Sequence, residues 1–111
     1  MFYKQEKSGY AQAVAGVRMK TLVHGEKTLL TEFRLTAGHT LPMHAHEHEQ
    51  AGYLISGAIS LTIGNETCDV GPGDSWCIPG HVRHGAEILA DSVAVEVFSP
   101  VRADYLPKDE A

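Results

Sequence analysis

Between residues 42 and 50 the chain reads PMHAHEHEQ, with histidines at alternate positions 44, 46 and 48 and a glutamine at 50. In an extended strand, residues i and i+2 project from one face about 6.6 Å apart, so His44 and His46 can aim two imidazoles at one ion, with bonds of about 2.1 Å. A straight strand would carry position 50 about 20 Å from position 44, too far for a shared ion. The chain must therefore bend at Glu47-His48-Glu49 if Gln50 is to return toward the same point, and that bend leaves His48 outside. The competing reading of HAHEHE is a solvated loop of mixed charge. A further histidine separates the two, and four remain. His24 beside a turn and His39 before Thr-Leu-Pro read as surface residues. The stretch GDSWCIPGHVRHG carries His81 and His84 after a strand and a proline turn, and spacing alone does not choose between them.

A second group with chemical potential lies near the C-terminal end. SVAVEVF, residues 92–98, alternates cleanly, with Val93, Val95 and Val97 on one face and Ala94, Glu96 and Phe98 on the other. Arg102 follows after a Ser-Pro bend. Taken alone, this is an ordinary wet strand face with an arginine at the surface.

The elements that must position these residues read as strands. No window of eleven or more residues carries a 3.6-residue apolar period, whereas short strand candidates alternate with turn signals along the whole chain. VRMKTLVH (17–24) and TLLTEFRLT (28–36) are separated by Gly-Glu-Lys. AGYLIS (51–56) and AISLTI (58–63) flank Gly57, and Gly64-Asn65 suits a two-residue turn into TCDV (67–70). Pro72-Gly73 has the order of a type II turn and launches SWCIP (75–79). ADYLPKDEA, residues 103–111, reads as a solvated tail. So many short strands at near-regular spacing predict an all-β sandwich or small barrel, in which the sheet closes or doubles to hide its edges.

The bulk numbers narrow the function further. At 111 residues the chain fits one domain, 1–111, with room for one site. A net charge of -5 and nine scattered Lys plus Arg offer no basic stripe to a nucleic acid. No apolar run approaches the roughly 18 residues of a membrane span, and MFYKQEKSGY has no signal-peptide core, so neither a membrane nor export is expected and the chain reads as cytoplasmic. Cys68 and Cys77 form no C-x-x-C pair and read as two small buried hydrophobes.

GHTLPMHAHEHEQAGYLISG resembles the first motif of the cupin superfamily, with Gly38, His44, His46, Gln50 and Gly57 in the motif's places, and GDSWCIPGHVRH resembles the second, with Gly73, Pro79 and His84. The resemblance implies a double-stranded β-helix, the jelly-roll-like cupin barrel, and selects His84 over His81. It also implies one divalent ion, Zn, Ni, Fe or Mn, held by His44, His46, Gln50 and His84. Three departures stand out: Gln50 replaces the usual glutamate, His81 a glycine, and Ile88 a frequent asparagine. With four uncharged donors the ion keeps its full charge, which suits Lewis-acid work on an anionic or carbonyl oxygen.

The chain as a whole is similar to a narrower group, the small KdgF cupins of pectin and alginate catabolism, which open 4,5-unsaturated monouronates to linear keto acids. That resemblance implies a metal-dependent enzyme acting on an anionic sugar acid. It casts Glu96 as acid/base in the place of the group's usual aspartate, Arg102 as carboxylate clamp and Phe98 as apolar wall. By the same analogy the chain pairs as a homodimer. Two other readings fit the motifs: an Fe or Mn cupin dioxygenase, and a non-catalytic sugar- or metal-binding cupin.

Overall fold

The structure, a computed structural model, describes residues 1–106. Eight strands follow in order: β1 Ala11–Val14, β2 Val17–His24, β3 Leu29–Leu35, β4 Thr40–His44, β5 Glu49–Ile63, β6 Glu66–Val70, β7 Ser75–Ile78 and β8 His84–Ser99. All pairings are antiparallel. β5 and β8 are long and bent, and each serves two sheets. Residues 49–54 of β5 and 92–99 of β8 join β7 and β3-β2-β1, while residues 58–63 and 84–90 join β6 and β4. The two layers are the faces of an all-β barrel, and among the described residues no helix is long enough and apolar enough to cross a membrane.

The interior follows from alternation. Leu29, Thr31 and Phe33 of β3 point in, as do Leu54 of β5 and Ala94 and Phe98 of β8, all buried. Val93, Val95 and Val97 face outward, so the two faces of β8 divide as its alternation predicts.

Gly57 is the bend of β5, not a break between two strands. Its φ of 98° lies in the left-handed region, and a Cβ there would stand 2.5 Å from the carbonyl oxygen of Asp91. The ladder is irregular at this corner. Buried Ser92 repairs it, its Oγ accepting from the Ala58 N–H at 3.0 Å and donating to the Ala90 carbonyl at 2.7 Å. Gly64-Asn65 forms the two-residue turn expected of it, with Ile63 opposite Glu66. Gly73 has φ 91°, and the Asp74 N–H closes the turn on Gly71 at 3.0 Å.

Two expectations are corrected. Residues 103–106 are not a solvated tail. A 3-10 turn, Ala103–Tyr105, lays Tyr105 and Leu106 on the core, because this segment carries two large apolar side chains among its polar ones; residues 107–111 lie outside the described residues. Cys68 and Cys77 are exposed rather than buried. Cys68 sits on β6, paired on one side only, and Cys77 stands opposite outward-facing Ala51.

His81 has φ 68°, and its amide donates to the His46 carbonyl at 2.7 Å. Beside it, a Cβ on Gly80 would come within 2.5 Å of the Glu47 carbonyl oxygen. The loop after β7 is thus pressed against the bend that carries His46, and the left-handed residue at 81 lets its N–H reach across. A non-glycine residue there costs roughly 1–2 kcal/mol, partly offset by the greater entropy glycine loses on folding. His81→Gly is therefore expected to raise stability by about 0.5–1 kcal/mol, a few degrees in melting temperature by calorimetry. An unchanged or lower value would mean that the imidazole repays the strain through contacts of its own.

Candidate metal centre

His44 ends β4 and stands opposite His84, the first residue of β8. His46 lies two residues further on, in the bend before β5. Their rings converge, with centroids 4.2 Å apart for His44 and His84, 4.9 Å for His46 and His84, and 5.7 Å for His44 and His46. One ring nitrogen from each lies within 4.8 Å of the others. His44 is the most open of the three, and His84 is 2% exposed.

Backbone carbonyls fix the tautomers. Nδ1 of His44 lies 2.8 Å from the Pro42 carbonyl, that of His46 3.0 Å from the His48 carbonyl, and that of His84 2.9 Å from the Val82 carbonyl. A carbonyl only accepts, so each Nδ1 carries the hydrogen, and in the neutral ring it is Nε2 that holds the lone pair. Nε2 of His46 and of His84 are buried with no hydrogen-bond partner. Burial pushes the His84 imidazolium down to about 4, with the neighbouring His44, His46 and Arg102 acting in the same direction. Burial likewise lowers His46, helped by Arg102 and opposed by the Gln50 amide. Neutral imidazoles with free lone pairs, turned on one point, are what a divalent ion requires.

Gln50 begins the inward face of β5, opposite Phe98 on one side and Ile78 on the other. Its amide nitrogen donates to Oε2 of Glu96. That bond fixes the amide's orientation, and Oε1, buried and unpartnered, is left as a neutral oxygen donor. The residues present therefore fit a divalent ion with three nitrogen donors and one oxygen. His48 packs its ring 5.6 Å from that of His46 but is not one of the three residues whose ring nitrogens cluster.

Glu96 lies in a row across four strands. Thr31, Glu96, Gly52 and Trp76 are direct neighbours on β3, β8, β5 and β7. Gly52 leaves a gap that the Trp76 indole fills, since a Cβ there would stand 2.1 Å from the ring. Across that gap Trp76 Nε1 donates to Glu96 Oε2 at 3.3 Å, while the Thr31 hydroxyl donates to the Glu96 carbonyl at 3.0 Å. Burial pushes the Glu96 carboxyl up to about 7, against the hydrogen bonds from Gln50 and Trp76 and the positive charge of Arg102. A carboxyl so placed can give or take a proton near neutrality.

His44, Gln50, His84, Glu96, Phe98 and Arg102 all line one cavity of about 500 Å³, whose remaining wall is largely apolar. Its size is within the range of small-molecule clefts. The Arg102 guanidinium lies 3.9 Å from the Tyr105 ring centroid and 5.1 Å from that of Phe98. The structure thus gathers all seven residues singled out in the sequence into one neighbourhood. Sequence reasoning missed Gly52, Trp76 and Tyr105. A glycine inside the alternating stretch AGYLIS was the signal for the first, since glycine in a strand often marks a close approach.

Residues 31–100 match the family model described as Cupin domain. The pectin degradation protein KdgF of Dickeya dadantii (strain 3937) is 23% identical over 107 residues, 95% of this chain and 97% of that protein. The oxalate decarboxylase OxdC of Bacillus subtilis (strain 168) is 31% identical over 91 residues, which span 78% of this chain but only 23% of OxdC. Among solved structures, KdgF from Halomonas sp. superposes with a TM-score of 0.89 at 30% identity, covering 96% of this chain and 98% of that one.

Proposed function

We propose, from the premise that this chain belongs to the cupin family and is a KdgF-like cupin, that it is a metal-dependent enzyme opening 4,5-unsaturated monouronates to linear keto acids. The observation that carries the reading is the shared cavity, lined by a buried carboxyl, an arginine set over an aromatic ring, and His44 and His84 of the three converging imidazoles. A divalent ion held by His44, His46, Gln50 and His84 would supply Lewis acidity toward substrate oxygens.

The chain's own residues account for the rest. Arg102, its guanidinium over the Tyr105 ring and near that of Phe98, pairs with the uronate carboxylate through its planar fork. Phe98 gives the sugar ring an apolar wall and, with the rest of the lining, keeps water from Glu96. The reaction is an isomerisation: the hemiacetal hydroxyl at C1 loses its proton, the C1–O5 bond breaks to leave an aldehyde and an enol at C5, and a proton reaches C4 as the enol becomes a ketone. No oxidant or water is consumed. Glu96 carries the proton to C4, and its hydrogen bonds from Gln50 and Trp76 hold the carboxyl in place.

The outward rows Leu30-Val97-Ala51-Cys77 and Val95-Tyr53 support a homodimer through this face, where Tyr53, Ile55 and Val97 expose large apolar surface. Two exposed free thiols fit a reducing compartment and hence the cytoplasm.

The test is to incubate metal-loaded protein, its mass first measured by light scattering, with 4,5-unsaturated galacturonate and follow loss of the conjugated enol acid's ultraviolet absorbance. Loss well above the spontaneous rate without oxygen uptake is expected, from a particle of twice the chain mass. Oxygen consumption would point to a dioxygenase instead. Tight uronate binding without turnover would point to a binding protein.

A further inference from the structure

The carboxylate seat on Arg102 is occupied from within the chain. Arg102 Nη2 donates to Asp104 Oδ2 at 2.8 Å and Nε donates to Asp104 Oδ1 at 3.2 Å, so one edge of the guanidinium engages both oxygens of a carboxylate. This is the two-point geometry in which arginine takes a free carboxylate. The two partners are held very differently. The Arg102 side chain is 15% exposed, with its guanidinium over the Tyr105 ring and near that of Phe98, whereas that of Asp104 is 59% exposed.

Tyr105 in turn is fixed. Its carbonyl accepts from the Thr21 hydroxyl at 2.5 Å, its amide donates to the Arg102 carbonyl at 3.0 Å, and its ring meets Phe33 and Phe98 edge-on. The seat is therefore fixed by its contacts, and the carboxylate on it is largely open to solvent. Arg102, Asp104 and Tyr105 all line the cavity that holds the histidines, so the seat opens on the reaction space.

We infer that Asp104 is a specificity-determining residue, a tethered carboxylate that stands on Arg102 until a ligand's carboxylate displaces it. This rests on reading Arg102 as the carboxylate clamp. In the resting protein Asp104 neutralises a guanidinium that its stacked environment keeps from water. A ligand with two carboxylate oxygens replaces both hydrogen bonds and leaves Asp104 to solvent, which its exposed position allows at little cost. A ligand with a hydroxyl or one neutral oxygen replaces at most one bond and cannot compensate the charge. The competition raises the dissociation constant of every carboxylate ligand by the inverse of the fraction of time the seat is free. An exposed partner on a rigid arginine is worth little individually, so that factor is about three- to tenfold.

Two probes test this. D-galacturonate, the saturated uronate, titrated into wild type and Asp104→Asn and followed by calorimetry, is expected to bind about three- to tenfold more tightly to the variant, with galactose unchanged. Weaker binding would mean that Asp104 positions Arg102 for the ligand, and equal binding would mean that the two carboxylates do not share the seat; either result overturns the inference. Acetate titrated against the Arg102 Nε–H resonance in nitrogen-edited NMR spectra reads the seat without any sugar. Half-saturation at lower acetate is expected in Asp104→Asn than in wild type, and coincident curves overturn the inference. If galacturonate binds neither protein, the uronate reading of the cavity fails, while the acetate curves still decide the role of Asp104.

Discussion

Glu96→Gln is expected to lower turnover of the unsaturated uronate by about a hundred- to ten-thousandfold while leaving metal content unchanged. Glutamine keeps an oxygen that can accept from Gln50 and Trp76, so the Gln50 amide stays oriented, but it carries no proton to C4. Nothing else in the described cavity wall replaces it. Asp104 is engaged by Arg102, and burial raises the Tyr105 phenol, which therefore keeps its proton. Glu96→Leu is expected to differ in kind. It removes the acceptor that fixes the Gln50 amide, leaving Oε1 free to turn away, and metal affinity should fall about ten- to hundredfold in addition to the lost turnover. Steady-state kinetics with chelator-competition titrations separate the two effects. If Glu96→Gln keeps turnover within about threefold of wild type, Glu96 is not the proton carrier.

That double duty also gives a physical reason for Gln50. A second carboxylate at position 50 would meet Glu96 at hydrogen-bonding distance, and the pair could coexist there only with one of the two kept protonated. With glutamine there, one amide group donates to Glu96 and offers its oxygen to the histidine cluster. The neutral amide at 50 and the buried acid at 96 are thus two parts of one arrangement.

Much of this is legible in the sequence. The i, i+2 spacing of His44 and His46 and the need for a bend before Gln50 follow from strand geometry alone, and the alternation of SVAVEVF correctly divides Phe98 from Val97. What stayed hidden depends on contacts across strands. β8 runs to sixteen residues, but its first half opens His-Gly-Ala, where buried small residues blur the alternation. Gly57 reads as punctuation, yet β5 continues through it because Ser92, 35 positions later, supplies the missing hydrogen bonds. Trp76 becomes part of the site only because Gly52 lies beside it in register. Likewise ADYL looks like solvated chain until the Thr21 hydroxyl and the Phe33 and Phe98 rings are set against Tyr105.

Removing the divalent ion is expected to lower the melting temperature by about 10–15 °C, independently of any substrate. An ion present at about a thousand times its dissociation constant stabilises the folded state by about 4 kcal/mol, and a chain of this length shifts by roughly 3–4 °C per kcal/mol. The stabilisation has an identifiable origin. Without the ion, Nε2 of His46, Nε2 of His84 and Oε1 of Gln50 stay buried with no partner, each at a cost of about 1–3 kcal/mol. His84→Ala removes the most buried of the three rings, and its melting temperature should fall near that of the chelated wild type and no longer respond to chelator. Calorimetric melts of both proteins, with saturating metal and with chelator, measure all four values. A wild-type melt that chelator leaves unmoved would mean that the converging imidazoles bind no stabilising ion, and the enzymatic reading would lose its Lewis acid.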